Sequence, residues 1–164
     1  MTHLENQQLQ SSIRKASIAD VETISSLTDT AYAKYIFRLG RKPQPMTANY
    51  HRMVTEHHAW LLYLGDQPIG VLILIYESNQ VLIYSIATSP EYQNQGWGRY
   101  LVGWGEEEAQ RQGYTRIRLH TNARMDENVA RYKRLGYQET HREEYLGSTV
   151  IHMAKDLAHN MRES

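Results

Sequence analysis

These 164 residues contain no cysteine. Disulfides, thiolate metal sites and a cysteine nucleophile are therefore excluded. Net charge is also missing, since Lys+Arg and Asp+Glu each number 18. No overall field draws the chain to nucleic acid or to an anionic membrane. No apolar run approaches the ~20 residues that span a bilayer. The opening MTHLENQQLQSS is polar and lacks the apolar centre of a signal peptide. A cytoplasmic protein with no membrane or nucleic-acid partner is expected. Phenylalanine is nearly absent, one residue against twelve tyrosines. Many rings must then carry a hydroxyl at a half-wet position, as in a lined cleft or a polar-rimmed core. What is present in quantity is apolar character, 41% of a length that suits a single core.

The pattern reads as one α/β domain over 12–157, with 1–11 and 158–164 as flexible ends. Residues 12–16 form a short strand. Ser17 is placed to cap a helix, with Asp20 in its first turn. Val21, Ile24, Leu27, Thr28 and Ala31 recur at helical spacing, and Gly40 and Pro43 stop that helix near Leu39. Thr47 caps a second short helix running to about His57. Strands at 59–64, 69–76 and 81–88, joined by tight turns at 65–68 and 78–79, imply an antiparallel meander. A helix from about Gly96 ends at Gly113, and a strand follows at 116–121. A helix over 127–135 is closed by Gly136. Two last strands, 137–143 and 149–155, flank a turn. The order is β-α-α-β-β-β-α-β-α-β-β, about seven strands and four helices, with a right-handed parallel crossover between 81 and 121.

Residues 92–99 read YQNQGWGR and lie where the strand at 81–88, stopped by Ser89-Pro90, gives way to a helix. A helix start carries backbone N–H groups without internal partners and about half a positive charge. Glycine lets an anion approach that backbone closely. An anion-binding loop, best suited to phosphate, is the direct reading. Two nucleotide motifs fail on spacing. The dinucleotide fingerprint needs a glycine where Leu101 stands, and the Walker loop needs Lys-Ser/Thr where Arg99-Tyr100 stand. A bare Gly–x–Gly can also be a simple helix cap.

Gln93-x-x-Gly96-x-Gly98 after a strand resembles the coenzyme A signature of the GNAT acetyltransferases, Gln/Arg-x-x-Gly-x-Gly/Ala. The segment RYKRLGY over 131–137 resembles that family's second signature, in which a tyrosine precedes a Gly–aromatic pair. The resemblance runs over about 12–157 and is densest over 81–140. It implies the GNAT fold, a mixed and mostly antiparallel sheet flanked by helices. It implies acetyl-CoA as cosubstrate, no metal, and direct acetyl transfer to a primary amine; the uncharged whole and the Tyr-rich entrance mildly favour a small-molecule acceptor. Backbone donors at Gln95, Gly96, Trp97, Gly98 and Arg99, with side-chain help from Gln93 or Arg99, would hold the pyrophosphate. Ile86, Ala87 and Thr88 would pair with the pantetheine arm as an added strand. At two positions where many members carry Asn and Ala, this chain has Met125 and Asn128. Asn122 and Asn128 both stay close by, and either is suited to the arm. A non-catalytic CoA sensor of the same fold is the alternative, and pairing of two copies through sheet edges or the C-terminal hairpin is also implied.

Acyl transfer needs an oxyanion donor, a neutral amine and a proton for the departing thiolate. A backbone N–H near Ile86 or Ala87 suits the first. The resemblance implies Tyr132, the tyrosine of the second signature, for the last, and a phenol can give a proton. Glu91, His120, Glu143 and Glu144 are candidate bases, beside a water chain. Tyr35, Arg38, Met46 and Tyr50 are candidates to line the acceptor side. His57-His58 point to different faces and make a poor metal pair. The Glu106-Glu107-Glu108 run reads as an exposed helix face. Gly103 and Gly105 cost their helix about 1 kcal/mol each relative to alanine, which close packing on the sheet would explain.

Overall fold

The computed structural model describes residues 2–158. The expected loose end at 158–164 lies, from 159 onward, outside the described residues. Seven strands form one sheet in the order β1-β2-β3-β4-β5-β7-β6. They are β1 (Ser11–Lys15), β2 (His58–Leu64), β3 (Gln67–Tyr76), β4 (Val81–Thr88), β5 (Arg116–Asn122), β6 (Gln138–Tyr145) and β7 (Ser148–Asp156). The pairs β1/β2, β2/β3, β5/β7 and β7/β6 are antiparallel, and β4/β5 is parallel. Six α-helices accompany them: α1 (His3–Leu9), α2 (Val21–Tyr32), α3 (Tyr35–Leu39), α4 (Tyr50–Glu56), α5 (Trp97–Arg111) and α6 (Asp126–Arg134). Among the described residues no helix is long and apolar enough to cross a membrane.

Two compact units divide the chain, one comprising residues up to 74 with 85–102, the other 75–84 with residues from 103 onward. In the first unit the core is the β2–β3 hairpin. Leu61, Leu62, Ile69, Val71, Leu72, Ile73 and Leu74 are all fully buried. Buried apolar area at about 25 cal/mol per Å2 makes this run the main stabiliser of the unit. Gly70 is tight: a Cβ there would lie 3.1 Å from Leu101 Cδ1 and 3.3 Å from the Ala87 carbonyl oxygen. The second unit is centred on Ile117, Leu119, Tyr137, Ile151 and Met153, all buried.

The structure adds α1 ahead of the expected order, where residues 1–11 had been read as a flexible end. Thr2 and Glu5 explain it by closing a reciprocal capping box. The helix expected over 17–39 is broken. Ser17 begins only a 3-10 turn, Ile18–Asp20, before α2. Thr28 and Thr30 then return their hydroxyls to the carbonyls of Ile24 (2.8 Å) and Ser26 (2.5 Å). Such back-bonding competes with helix propagation, and α3 starts afresh until Gly40, at φ 72°, ends it. Thr47 is not the cap of α4. Its hydroxyl donates to the Gln44 carbonyl (3.1 Å), and Asn49 caps instead, accepting from the Arg52 N–H (3.1 Å). Glu106 is not on a solvated face, because it accepts from Tyr137 Oη and Lys155 Nζ, both at 2.9 Å. Gly103 has no packing reason: a Cβ there meets nothing within 4 Å.

Candidate functional site

The residues expected to bind an anion form one continuous strand–turn–helix of the first unit. β4 ends at Thr88, and Pro90–Tyr92 makes a single 3-10 turn. Asn94 then takes φ 61° and Gly96 φ 92°. That left-handed geometry at 96 favours glycine strongly. α5 begins at Trp97, and its first internal bond runs from the Tyr100 N–H to the Gly96 carbonyl, at 3.0 Å. The N–H groups of Trp97, Gly98 and Arg99 precede that bond and are the end donors of a 15-residue helix.

Gly98 differs from Gly96. No positive φ accompanies it, and a Cβ at 98 would meet nothing within 4 Å. Neither the backbone nor the packing of this protein requires glycine there. What the missing side chain does provide is open space over the helix-end donors. Trp97 is fully buried, its ring edge-on to Tyr100 with centroids 5.6 Å apart. Its indole Nε1 has no hydrogen-bond partner, and neither has the buried Ser85 Oγ on β4.

Gln93 and Gln95 brace the loop. Gln93 Nε2 donates to the Thr88 carbonyl and its Oε1 accepts from Lys34 Nζ, both at 2.9 Å. Gln95 Nε2 donates to the Glu91 carbonyl at 2.9 Å. Tyr32 is a contact that the sequence did not disclose. Its hydroxyl donates to the Ile86 carbonyl at 2.9 Å, across 54 residues. Only the Tyr32/Tyr35 spacing on one helical face hinted at it. Of the residues considered for an acceptor pocket, Tyr35 and Tyr50 are buried, Met46 is half-buried and Arg38 is exposed. Tyr50 Oη donates to the Pro45 carbonyl and closes the 45–50 loop.

The remaining predicted residues lie in the second unit. Its β4/β5 ladder carries two registered pairs, Val81↔Ile117 and Leu82↔Arg118. Asn122 ends β5, and its Oδ1 accepts from the Arg124 N–H at 2.9 Å. Asn128 and Tyr132 are half-buried on α6. The Tyr132 and Tyr137 rings meet edge to face, with centroids 5.9 Å apart. The two phenols differ chemically. Burial, then the charge of Glu106, push the Tyr137 hydroxyl far above the ordinary phenol range. Its proton is held in the bond to Glu106 and is not available for transfer.

Among the candidate bases, the structure joins two through a third residue. His120 and His152 are paired in register on β5 and β7, with ring centroids 5.4 Å apart. His141 of β6 stacks on His152 at 4.1 Å, nearly parallel. His152 Nε2 meets Glu143 Oε1 at 2.6 Å. Burial, then His152 and Arg118, hold the His120 imidazole below its ordinary value of 6.5, against a smaller opposing effect of Glu143. It is neutral at pH 7, the state a base requires. Glu144 accepts from Thr149 Oγ1 at 2.7 Å, and Glu91 is exposed on the turn after β4. Among the described residues no cluster of His, Cys, Asp or Glu is arranged to hold a metal.

The lowered His120 value has a sign for stability. Below pH 6.5 the unfolded chain binds a proton that the folded chain resists. The folded state therefore loses stability as pH falls through and below that value. The unfolding midpoint is expected to drop between pH 7.5 and 5.5, and His120→Gln should shrink that drop by a few degrees. An equally acid-sensitive variant would show that another group is responsible.

A family model described as the acetyltransferase (GNAT) family matches residues 24–137. A comparison with curated proteins finds no match. Solved structures similar to this chain include the ribosomal-protein-S18-alanine N-acetyltransferase of Escherichia coli. The two are 18% identical with a TM-score of 0.74, covering 94% of this chain and 98% of that one. A GNAT acetyltransferase of Elizabethkingia anophelis with acetyl-CoA bound is 16% identical, TM-score 0.69, over 90% and 99% of the two chains. An acetyltransferase of the GNAT family from Streptococcus pneumoniae is 16% identical, TM-score 0.70, with the same coverage. At these identities the likeness is one of fold.

Proposed function

Because this chain belongs to the GNAT family of acetyltransferases, we propose that it moves the acetyl group of acetyl-CoA directly to a primary amine of a small-molecule acceptor, as a single domain over 12–157 in the cytoplasm. The observation that carries the reading is Gly98, a glycine with open space over the first donors of a long helix and no internal reason to be glycine. In this reading the N–H groups of Gln95, Gly96, Trp97, Gly98 and Arg99 take the diphosphate. Gln93 holds the loop to Thr88. The backbone of Ile86, Ala87 and Thr88 pairs with the pantetheine amides as an added strand. Asn122 or Asn128 assists.

Acetyl-CoA supplies an activated thioester when bound. The chain's own residues supply the rest. A backbone N–H at Ile86 or Ala87 is a fixed donor for developing negative charge. His120, neutral and backed by His152 and Glu143, takes the proton of the amine. Tyr132 returns a proton to the leaving sulfur. A calorimetric titration with CoA, followed by a thiol-release screen over an amine panel, tests this. One-site binding and thiol release with at least one amine are expected. Absence of binding would remove the reading, and binding without turnover of any amine would leave a CoA sensor.

A further inference from the structure

The last residues of β4 are held from two directions, and this fixes which way their backbone faces. The Ser89 N–H donates to the Ile69 carbonyl on β3 at 2.9 Å. The Ala87 carbonyl oxygen faces β3 as well, since a Cβ at Gly70 would stand 3.3 Å from it. Successive residues of a strand send their N–H and C=O groups to opposite edges. Ala87 and Ser89 therefore serve β3, and Ile86 and Thr88 point their backbone groups to the other edge. Both carbonyls on that edge accept from side chains. Tyr32 Oη donates to Ile86 and Gln93 Nε2 to Thr88, each at 2.9 Å. The two clamps share a brace. Tyr32 is the last residue of α2, and its ring centroid lies 6.0 Å from that of the buried Tyr35. Lys34, between those two tyrosines, donates to Gln93 Oε1.

These contacts lie inside one unit, and they separate the two backbone donors considered for the oxyanion. Ala87 is turned toward β3, which leaves the Ile86 N–H as the donor on the opposite edge. In an extended strand the N–H and C=O of one residue stand side by side on the same edge. Negative charge developing at the Ile86 N–H is therefore also close to the Ile86 carbonyl oxygen, which repels it. A hydroxyl donated to that oxygen offsets its partial charge and fixes the peptide plane. We propose that Tyr32 is a positioning residue for acetyl transfer. By engaging the Ile86 carbonyl it holds this stretch of β4 in place and screens the lone pair beside the Ile86 N–H, which stabilises the tetrahedral oxyanion. Tyr32 gives up no proton, and no bond to it forms or breaks. The inference rests on the acetyl-transfer reading above and adds a residue to it.

Tyr32→Phe removes the hydroxyl and keeps the ring. With a saturating amine from the thiol-release screen, kcat should fall about tenfold, less than the 10²–10³ that loss of an oxyanion donor itself costs. Kd for free CoA, which has no acetyl carbonyl, should stay within about twofold, because an interaction made in the transition state alone acts on kcat. A second chain carries 3-fluorotyrosine in place of Tyr32. Fluorine makes the phenol more acidic while the ring and hydroxyl remain. The ratio of its kcat to that of the parent should be close to one at neutral pH. It should fall at alkaline pH, where the fluorophenol ionises and ceases to donate. A hydroxyl with a packing role alone leaves that ratio flat. The unfolding midpoint, read at each pH, separates loss of rate from loss of fold, and the fluorinated chain decides the matter where Tyr32→Phe does not fold. Full kcat in Tyr32→Phe at an unchanged midpoint, or a flat ratio for the fluorinated chain, overturns the role and leaves acetyl transfer intact. A fall in kcat matched by an equal loss of CoA affinity also overturns it, because the hydroxyl would then serve the bound arm and not the transition state. A parent chain that binds CoA but releases no thiol with any amine removes the transfer reading, and this role with it.

Discussion

Tyr132→Phe should turn over about a hundredfold more slowly than the parent while binding CoA as tightly. General acid catalysis by a positioned group typically contributes 10²–10⁴-fold, and the substitution removes the hydroxyl while keeping the ring. The ring contact with Tyr137, 5.9 Å between centroids, is kept by phenylalanine, and the unfolding midpoint is measured alongside so that a loss of rate is not a loss of fold. The neighbouring phenol makes the prediction sharp. Tyr137→Phe removes a hydroxyl bonded to Glu106 at 2.9 Å and should lower stability by about 1 kcal/mol with a small effect on rate. Steady-state thiol release with a saturating amine, alongside calorimetric CoA titration, separates the two. Full activity in Tyr132→Phe would reassign the proton on the leaving sulfur to water.

Gly98→Val should weaken CoA binding about ten- to a hundredfold without destabilising the protein. Each lost hydrogen bond to a charged group is worth roughly 1.5–3 kcal/mol, and a branched side chain at 98 stands over several such donors. The structure itself has room for it, since no atom lies within 4 Å of a Cβ there. Gly103→Ala is the internal control. That position is equally open in the same helix, so alanine should raise stability by up to about 1 kcal/mol and leave CoA affinity alone. Normal CoA affinity in Gly98→Val, with an unchanged unfolding midpoint, would mean that the helix end does not hold the diphosphate.

Much of this architecture was legible in local pattern. The strands at 58–64, 67–76 and 81–88 are β-branched and apolar runs punctuated by turn residues, and each formed close to its expected bounds. Gly40, Gly113 and Gly136 ended helices where expected, all at positive φ. Errors came where two local signals competed. Thr47 and Asn49 are both capping residues, and only the geometry of the 44–47 turn decided that Thr47 spends its hydroxyl on Gln44. The helix expected over 17–39 parts between Tyr32 and Tyr35 into α2 and α3, a break that apolar spacing does not register. The Glu106 carboxylate read as solvated because its partners Tyr137 and Lys155 are 31 and 49 residues away.

Residue order alone determined the glycine loop, the helix that follows it and the phenol at 132, because these depend on turn chemistry and helix ends within a few residues. Tertiary structure alone decided that Tyr32 reaches Ile86, that Lys34 reaches Gln93, and that His152 stands between His120 and His141 and meets Glu143. Those contacts follow from strand register and helix docking, where one-residue slips turn side chains to the opposite face. It also separated the two glycines of the loop, since only three-dimensional structure shows that Gly96 takes a positive φ while Gly98 does not and has open space around it.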